Sequence, residues 1–197
     1  MSNFLRPFLV LCLLLLTGGA AFAADHPWPI DEVMGRPDAP ITIVEYSSMT
    51  CPHCAKFHAE TLPLLKKNWI DTGKAKLVMR DFVWDPLAQA AAMIAHCSGD
   101  RYFVFADTFF HSQANWLHAA QPLDALKGIA RLGGMGGEEV DKCLQNRALL
   151  GDIIARKEEA EKLYGIDSTP SFVINGKLMS GDKDYDSFAK VLAELKK

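Results

Sequence analysis

Cys51-Pro52-His53-Cys54 is the stretch of this chain whose residue types and spacing could do chemistry. Two thiols separated by two residues can supply half a zinc site, anchor a haem, cycle between dithiol and disulfide, or close a strained structural bridge. Haem attachment requires a histidine directly after the second cysteine, and Ala55 stands there. Zinc requires a second ligand pair at tight spacing. Cys97 and Cys143 are 46 residues apart, and His96 beside Cys97 is poorly placed to help. The redox reading has a mechanism. A thiol at a helix N-terminus faces unpaired backbone N–H groups and the positive end of the helix dipole, both of which favour the thiolate. His53 adds a partly cationic neighbour, and Cys54, one turn further in, is sheltered enough to act as a resolving thiol.

The flanking sequence must place the pair at such a terminus. Ile41 to Tyr46 is β-branched and apolar and reads as a buried strand. Ser47 to Thr50 is a short loop. Pro52 suits the first helical position, which puts Cys51 at the N-cap. Cys54, Phe57, Thr61, Leu62, Leu65 and Trp69 then recur on one helical face, with a kink expected at Pro63. Asp71 to Lys74 ends the helix, and Lys76 to Trp84 reads as a second strand. From Pro86 to Tyr164 the pattern is helical almost throughout, broken at Gly133-Gly134-Met135-Gly136-Gly137 and ended by Gly165. Ser171 to Ile174 is a strand, Asn175-Gly176 a hairpin turn, Lys177 to Ser180 its partner, and Tyr185 to Leu195 a closing amphipathic helix. Ala24 to Pro40 reads as a surface lead-in without periodicity.

Composition sets the compartment. The 197 residues are 49% hydrophobic and 23% charged, with net charge −3, which describes an ordinary globular protein and offers no basic stripe for nucleic acid. Residues 1–24 have the layout of a secretory signal peptide: Arg6, an apolar run from Phe8 to Leu16, and small residues for cleavage after Ala23 or Ala24. That run is too short for a comfortable membrane span. Periplasmic export is the expectation, and Cys12 is discarded with the signal. The four remaining cysteines, an even number in an exported chain, read as disulfides.

Cys51-Pro52-His53-Cys54 after Ile43-Val44-Glu45-Tyr46, with Thr169-Pro170-Ser171-Phe172 before a strand and hairpin, resembles the DsbA family of periplasmic thiol oxidases. The resemblance covers essentially the whole mature chain. It implies an α/β protein: a thioredoxin fold over residues 25–85 and 165–197, with a helical domain inserted at 86–164. It implies that Cys51 is the sulfur attacked by substrate and that Cys54 resolves. Pro52, His53, Thr169, Pro170 and Glu45 would tune the couple, with Pro170 cis and facing the disulfide. The redox-active Cys51–Cys54 disulfide would be the only cofactor, with no metal. Reduced or unfolded exported proteins would be the substrates, and a membrane quinone-linked partner of the DsbB type would restore the disulfide. Thr169, where the oxidases carry an aliphatic residue, looks more like the isomerase and reductase branches. A chaperone-like binding module with secondary thiol chemistry is the reading from another class. A monomer is expected, because no dimerisation domain precedes Asp31.

Other residues have plainer readings. Glu45 is either a strand-end carboxylate reaching solvent or, as the resemblance suggests, a buried acid that handles protons beneath the disulfide. Arg80 is then its natural charge partner, since a lone buried carboxylate is costly. His58, His96, His111 and His118 read as surface or helix-end residues. Tyr102 to Phe110 reads as helical-domain core. Cys97 and Cys143 are most simply a structural disulfide tying two inserted helices, the sharper alternative being a second redox pair that modulates the first.

Overall fold

The computed structural model describes residues 31–195. The expected signal peptide and cleavage site and the start of the lead-in lie outside the described residues. Five strands form one mixed sheet in the order β1-β3-β2-β4-β5. β2 (Ile41–Ser47) runs parallel to β3 (Ala75–Asp81), and the other pairings are antiparallel. A parallel pair needs a crossover, and a continuous helix over residues 52–70 supplies it. That helix alternates α and π turns: α1 (Pro52–Lys56), a π turn at Phe57–Thr61, α2 (Leu62–Leu65) and a second π turn at Lys66–Ile70. Pro63 falls in the first turn of α2, directly after a π turn, so the missing N–H is absorbed and the helix continues.

One core lies between the sheet and this helix. Ile41, Ile43, Phe57, Leu65, Phe172 and Phe188 are almost wholly buried there, the last contributed by α9 (Tyr185–Leu195). The hairpin of β4 (Ser171–Ile174) and β5 (Lys177–Ser180) turns at Asn175 and Gly176, with φ of 45° and 84°. Two successive positive φ values are what an Asn-Gly turn accommodates.

Between β3 and β4 stands a helical block. It consists of α3 (Pro86–Cys97), α4 (Tyr102–His111), α5 (Gln113–Leu117), α6 (Pro122–Leu132), α7 (Gly137–Leu144) and α8 (Arg147–Tyr164). Its core of Ile94, Tyr102, Phe105, Phe109, Trp116 and Leu126 extends to Met49, Cys54 and Met79. Cys54 belongs to this second core, although the helix that carries it also packs Phe57 and Leu65 into the first. The sulfurs of Cys97 and Cys143 are bonded, joining the end of α3 to α7.

The lead-in is not featureless. Glu32–Met34 forms β1, an edge strand on β3. Three residues are too short to show a period, and buried ion pairing anchors the strand. His96 is buried rather than at the surface. Its Nε2 lies 2.8 Å from Asp81 Oδ2 and its Nδ1 3.2 Å from Glu32 Oε1. β3 also stops at Asp81, three residues before Trp84, because its ladder with β2 ends at Ser47.

Two outcomes are expected. Replacing Cys97 and Cys143 together by Ser should lower the melting temperature by several degrees. Loop closure over this separation is worth at most about 4 kcal/mol. Burial alone would pull the His96 imidazole down, but hydrogen bonds to Asp81 and Glu32 push its pKa up to about 9. The resulting stability is complete below the unfolded value of about 6.5 and is lost as pH rises through the folded one. The melting temperature of His96→Asn should therefore fall less steeply than wild type above neutral pH.

Candidate active site

Cys51 occupies the N-cap of α1 with extended backbone (φ −82°, ψ 121°), and Pro52 opens the helix. Across from it, the Thr169–Pro170 peptide is cis, and the Cys51 Sγ lies 3.3 Å from the Thr169 carbonyl oxygen. The loop carrying that peptide is tied on both sides. The Gly181 N–H donates to the Pro170 carbonyl at 2.9 Å, and Trp84 Nε1 donates to the Thr169 hydroxyl at 3.4 Å.

The two sulfurs have opposite surroundings. Cys54 is wholly buried and Cys51 partly so. The Cys54 thiol donates to the Cys51 sulfur. The Thr169 hydroxyl and the backbone N–H groups of Cys54 and His53 add to this, and together they outweigh desolvation and hold the Cys51 thiol down at about 5. Burial pushes the Cys54 thiol well above the ordinary range, and its bond and charge toward Cys51 push it further. Cys51 is built to be the anion and Cys54 the thiol.

The helical block holds the loop before Cys51. Gln113 Nε2 donates to the carbonyls of Met49 and Cys51 at 2.9 and 3.0 Å. Asp85 caps α3 through Oδ1, accepting from the N–H groups of Leu87 and Ala88, while its Oδ2 accepts from the Thr50 hydroxyl at 2.8 Å. Sequence reasoning missed Gln113 and the second use of Asp85. No local pattern marks Gln113, whereas a polar Thr50 beside the cysteine motif was a weak cue.

His53 is exposed, its Nδ1 3.9 Å from an Asp182 oxygen that also takes a 2.7 Å bond from Lys56. Glu45 is fully buried, and its partner is not Arg80. The parallel register sets Glu45 opposite Met79 and Tyr46 opposite Arg80, so Arg80 projects from the other face and pairs with Asp31. Glu45 Oε1 instead meets His58 Nε2 at 2.9 Å. His58 is thus a buried residue, not a surface one, whereas His111 and His118 are exposed. Among the described residues no cluster of three or more His, Cys, Asp or Glu could hold a metal.

Fold and site together define a thioredoxin-fold protein that presents a dithiol at a helix N-terminus. A family model described as thioredoxin matches residues 29–194. The solved structure of Wolbachia pipientis alpha-DsbA1 aligns with a TM-score of 0.80 at 32% identity, covering 86% of this chain and 92% of that one. A protein-disulfide isomerase from Novosphingobium aromaticivorans gives 0.75 at 31%, covering 86% of this chain and all of the other. A Rickettsia bellii protein named as a protein-disulfide oxidoreductase is 36% identical over 148 residues, 74% of this chain and 57% of that protein. The chain thus spans under two-thirds of the length of that relative. It belongs to the DsbA family of thioredoxin-like thiol:disulfide oxidoreductases.

The depressed Cys51 pKa fixes a pH dependence. Its stabilising effect on the reduced fold is complete above the unfolded value of about 8.5 and is lost as pH falls through about 5. Reduced protein should melt above oxidised protein at neutral pH and lose that advantage in acid. Ultraviolet thiolate absorbance should titrate near the same point. A midpoint close to that of a free thiol would contradict the geometry.

Proposed function

We propose that this protein donates a Cys51–Cys54 disulfide to reduced exported proteins. The observation that carries the reading is the contrast between the two sulfurs, a stabilised thiolate at Cys51 against a buried thiol at Cys54. A substrate thiolate attacks the Cys51 sulfur, the Cys51–Cys54 bond breaks, and the electron pair leaves on Cys54, which takes up a proton. A second substrate thiolate then attacks the substrate sulfur of the mixed disulfide. Cys51 departs as a thiolate, the substrate dithiol has become a disulfide, and the enzyme is a dithiol. Because the Cys51 thiolate is a good leaving group, exchange runs in the oxidising direction. An extended substrate would pair with backbone beside Pro170 by strand addition. Glu45, beneath the pair, would supply that proton to Cys54 and take it back when the disulfide is restored.

Export to the periplasm, with the signal removed after Ala23 or Ala24, belongs to the same reading. So does reoxidation by a quinone-linked membrane partner of the DsbB type. Working as a monomer, with the Cys97–Cys143 disulfide as a structural tie, completes it. One observation favours a second direction: a threonine, Thr169, rather than an aliphatic residue precedes the cis Pro170 that faces Cys51, as in the isomerase and reductase branches.

The test combines single variants with a potential. Cys51→Ser should abolish oxidation of a reduced unfolded substrate, and Cys54→Ser should accumulate mixed disulfides on non-reducing gels, because removing the resolving thiol stalls exchange. Equal trapping by both variants would reverse the roles. A Cys51–Cys54 potential more reducing than glutathione would select the reductase direction.

A further inference from the structure

Glu45 and His58 form a buried titratable pair whose second member the exchange does not use. Their side chains are 0% and 2% exposed, and Glu45 Oε2 is buried without a hydrogen bond among the described residues. Two periodicities align the pair with the thiols. Glu45 and Ser47 project from the same face of β2, two residues apart. Cys54 and His58 lie one turn apart on the facing helix. Ser47 and Cys54 are both fully buried, and Ser47 is near enough to pull the Cys54 thiol pKa down against its burial, so Ser47–Cys54 and Glu45–His58 are successive rungs along one seam.

The second observation is a cavity of about 530 Å³ into which His58 opens. Its walls include Met34, Leu62 and Val104, and Lys66, Asp107 and His111 give it a polar lining, the last two 3.1 Å apart. Neither Cys51, Thr169 nor Trp84 lines it. The cavity therefore reaches solvent elsewhere than the face that a substrate on Cys51 would cover. The His58 ring is stacked on Phe110, with centroids 4.0 Å apart. From α4, Tyr102 also feels the Glu45 charge, and its hydroxyl is committed to Asp81.

We infer that His58 is the proton outlet of the buried half of the site, carrying protons between Glu45 and the cavity. This rests on the oxidoreductase reading. When the Cys51–Cys54 bond breaks, Cys54 leaves as a thiolate in an apolar seam and must gain one proton. When a disulfide-bearing oxidant restores the bond, Cys54 loses that proton and the oxidant is reduced to a dithiol. One proton thus crosses the seam in each half-cycle. Cys54 and Glu45 have no exposed surface of their own, whereas the His58 ring contacts Glu45 and borders the cavity. His58 acts through Glu45 and is a positioning residue, not one that touches substrate.

His58→Gln keeps a hydrogen bond to Glu45 but cannot carry a proton. Reduced protein would be mixed with glutathione disulfide across the pH range and reoxidation followed by tryptophan fluorescence. The expected result is slowing by about tenfold or more and a flattened pH profile, as for loss of a proton-transfer group. The Cys51 thiolate midpoint should not move. Added imidazole should restore the rate of His58→Ala, since the deleted ring borders the cavity. In wild type, the ring NMR signals of His58 should differ between oxidised and reduced protein, which decides the matter if neither variant folds. A wild-type rate and profile in His58→Gln, or identical His58 signals in both redox states, would overturn the relay. If Cys51→Ser is inactive at the same time, the oxidoreductase reading survives that loss. Exchange persisting in Cys51→Ser would remove the reading itself.

Discussion

The structure depends on keeping two sulfurs three residues apart in unlike surroundings. One has to be comfortable as an anion and the other as a thiol, and no single environment does both. The helix start resolves this. Its first N–H groups have no partner of their own and favour charge at Cys51. One turn later the helix is already against the sheet, where Cys54 is fully buried. A helix beginning one residue earlier or later would take Cys51 off the N-cap, where the unpaired N–H groups favour its charge. Pro52 in the first turn fixes where it begins.

The helical block belongs to that same device. Its core is continuous with Met49 and Cys54, so the apolar burial that raises Cys54 is partly its contribution. Gln113 and Asp85 reach from the block to the loop leading into Cys51. Asp85 does two jobs at once, capping α3 with one oxygen and holding Thr50 with the other. Losing it would release a helix end and the loop together.

The sequence made visible whatever is locally encoded. Pro52 after Cys51 marked the helix start, Asn175-Gly176 marked the hairpin, and the period of Tyr185 to Leu195 marked the last helix. What it hid was set by register and tertiary contact. Three residues of β1 have no period to read. Glu45 was paired with Arg80 because the two strands are neighbours, yet strand parity puts those side chains on opposite faces, and parity is known only once the register is. His58 carried a usable cue: it follows Cys54 by four residues and adjoins Phe57 on the buried helical face. Gln113 carried none, since only the docking of α5 brings it to the loop.

Among the described residues two histidine–carboxylate groups are buried, and their differences explain why one can move protons and the other cannot. His96 bonds a carboxylate at each ring nitrogen, and Asp81 also accepts from the Tyr102 hydroxyl at 3.2 Å. Both sides of that imidazolium are committed, and giving up its proton would leave two buried carboxylates facing each other. Such a group is an anchor, and it holds β1 to β3 and α3. His58 has one carboxylate, and that carboxylate has an oxygen with no bond to lose. Moving a proton onto Glu45 therefore breaks little, and His58 can pass that proton on to the neighbouring cavity. Two groups of the same residue types are thus divided into scaffold and working part by the number of bonds each already spends.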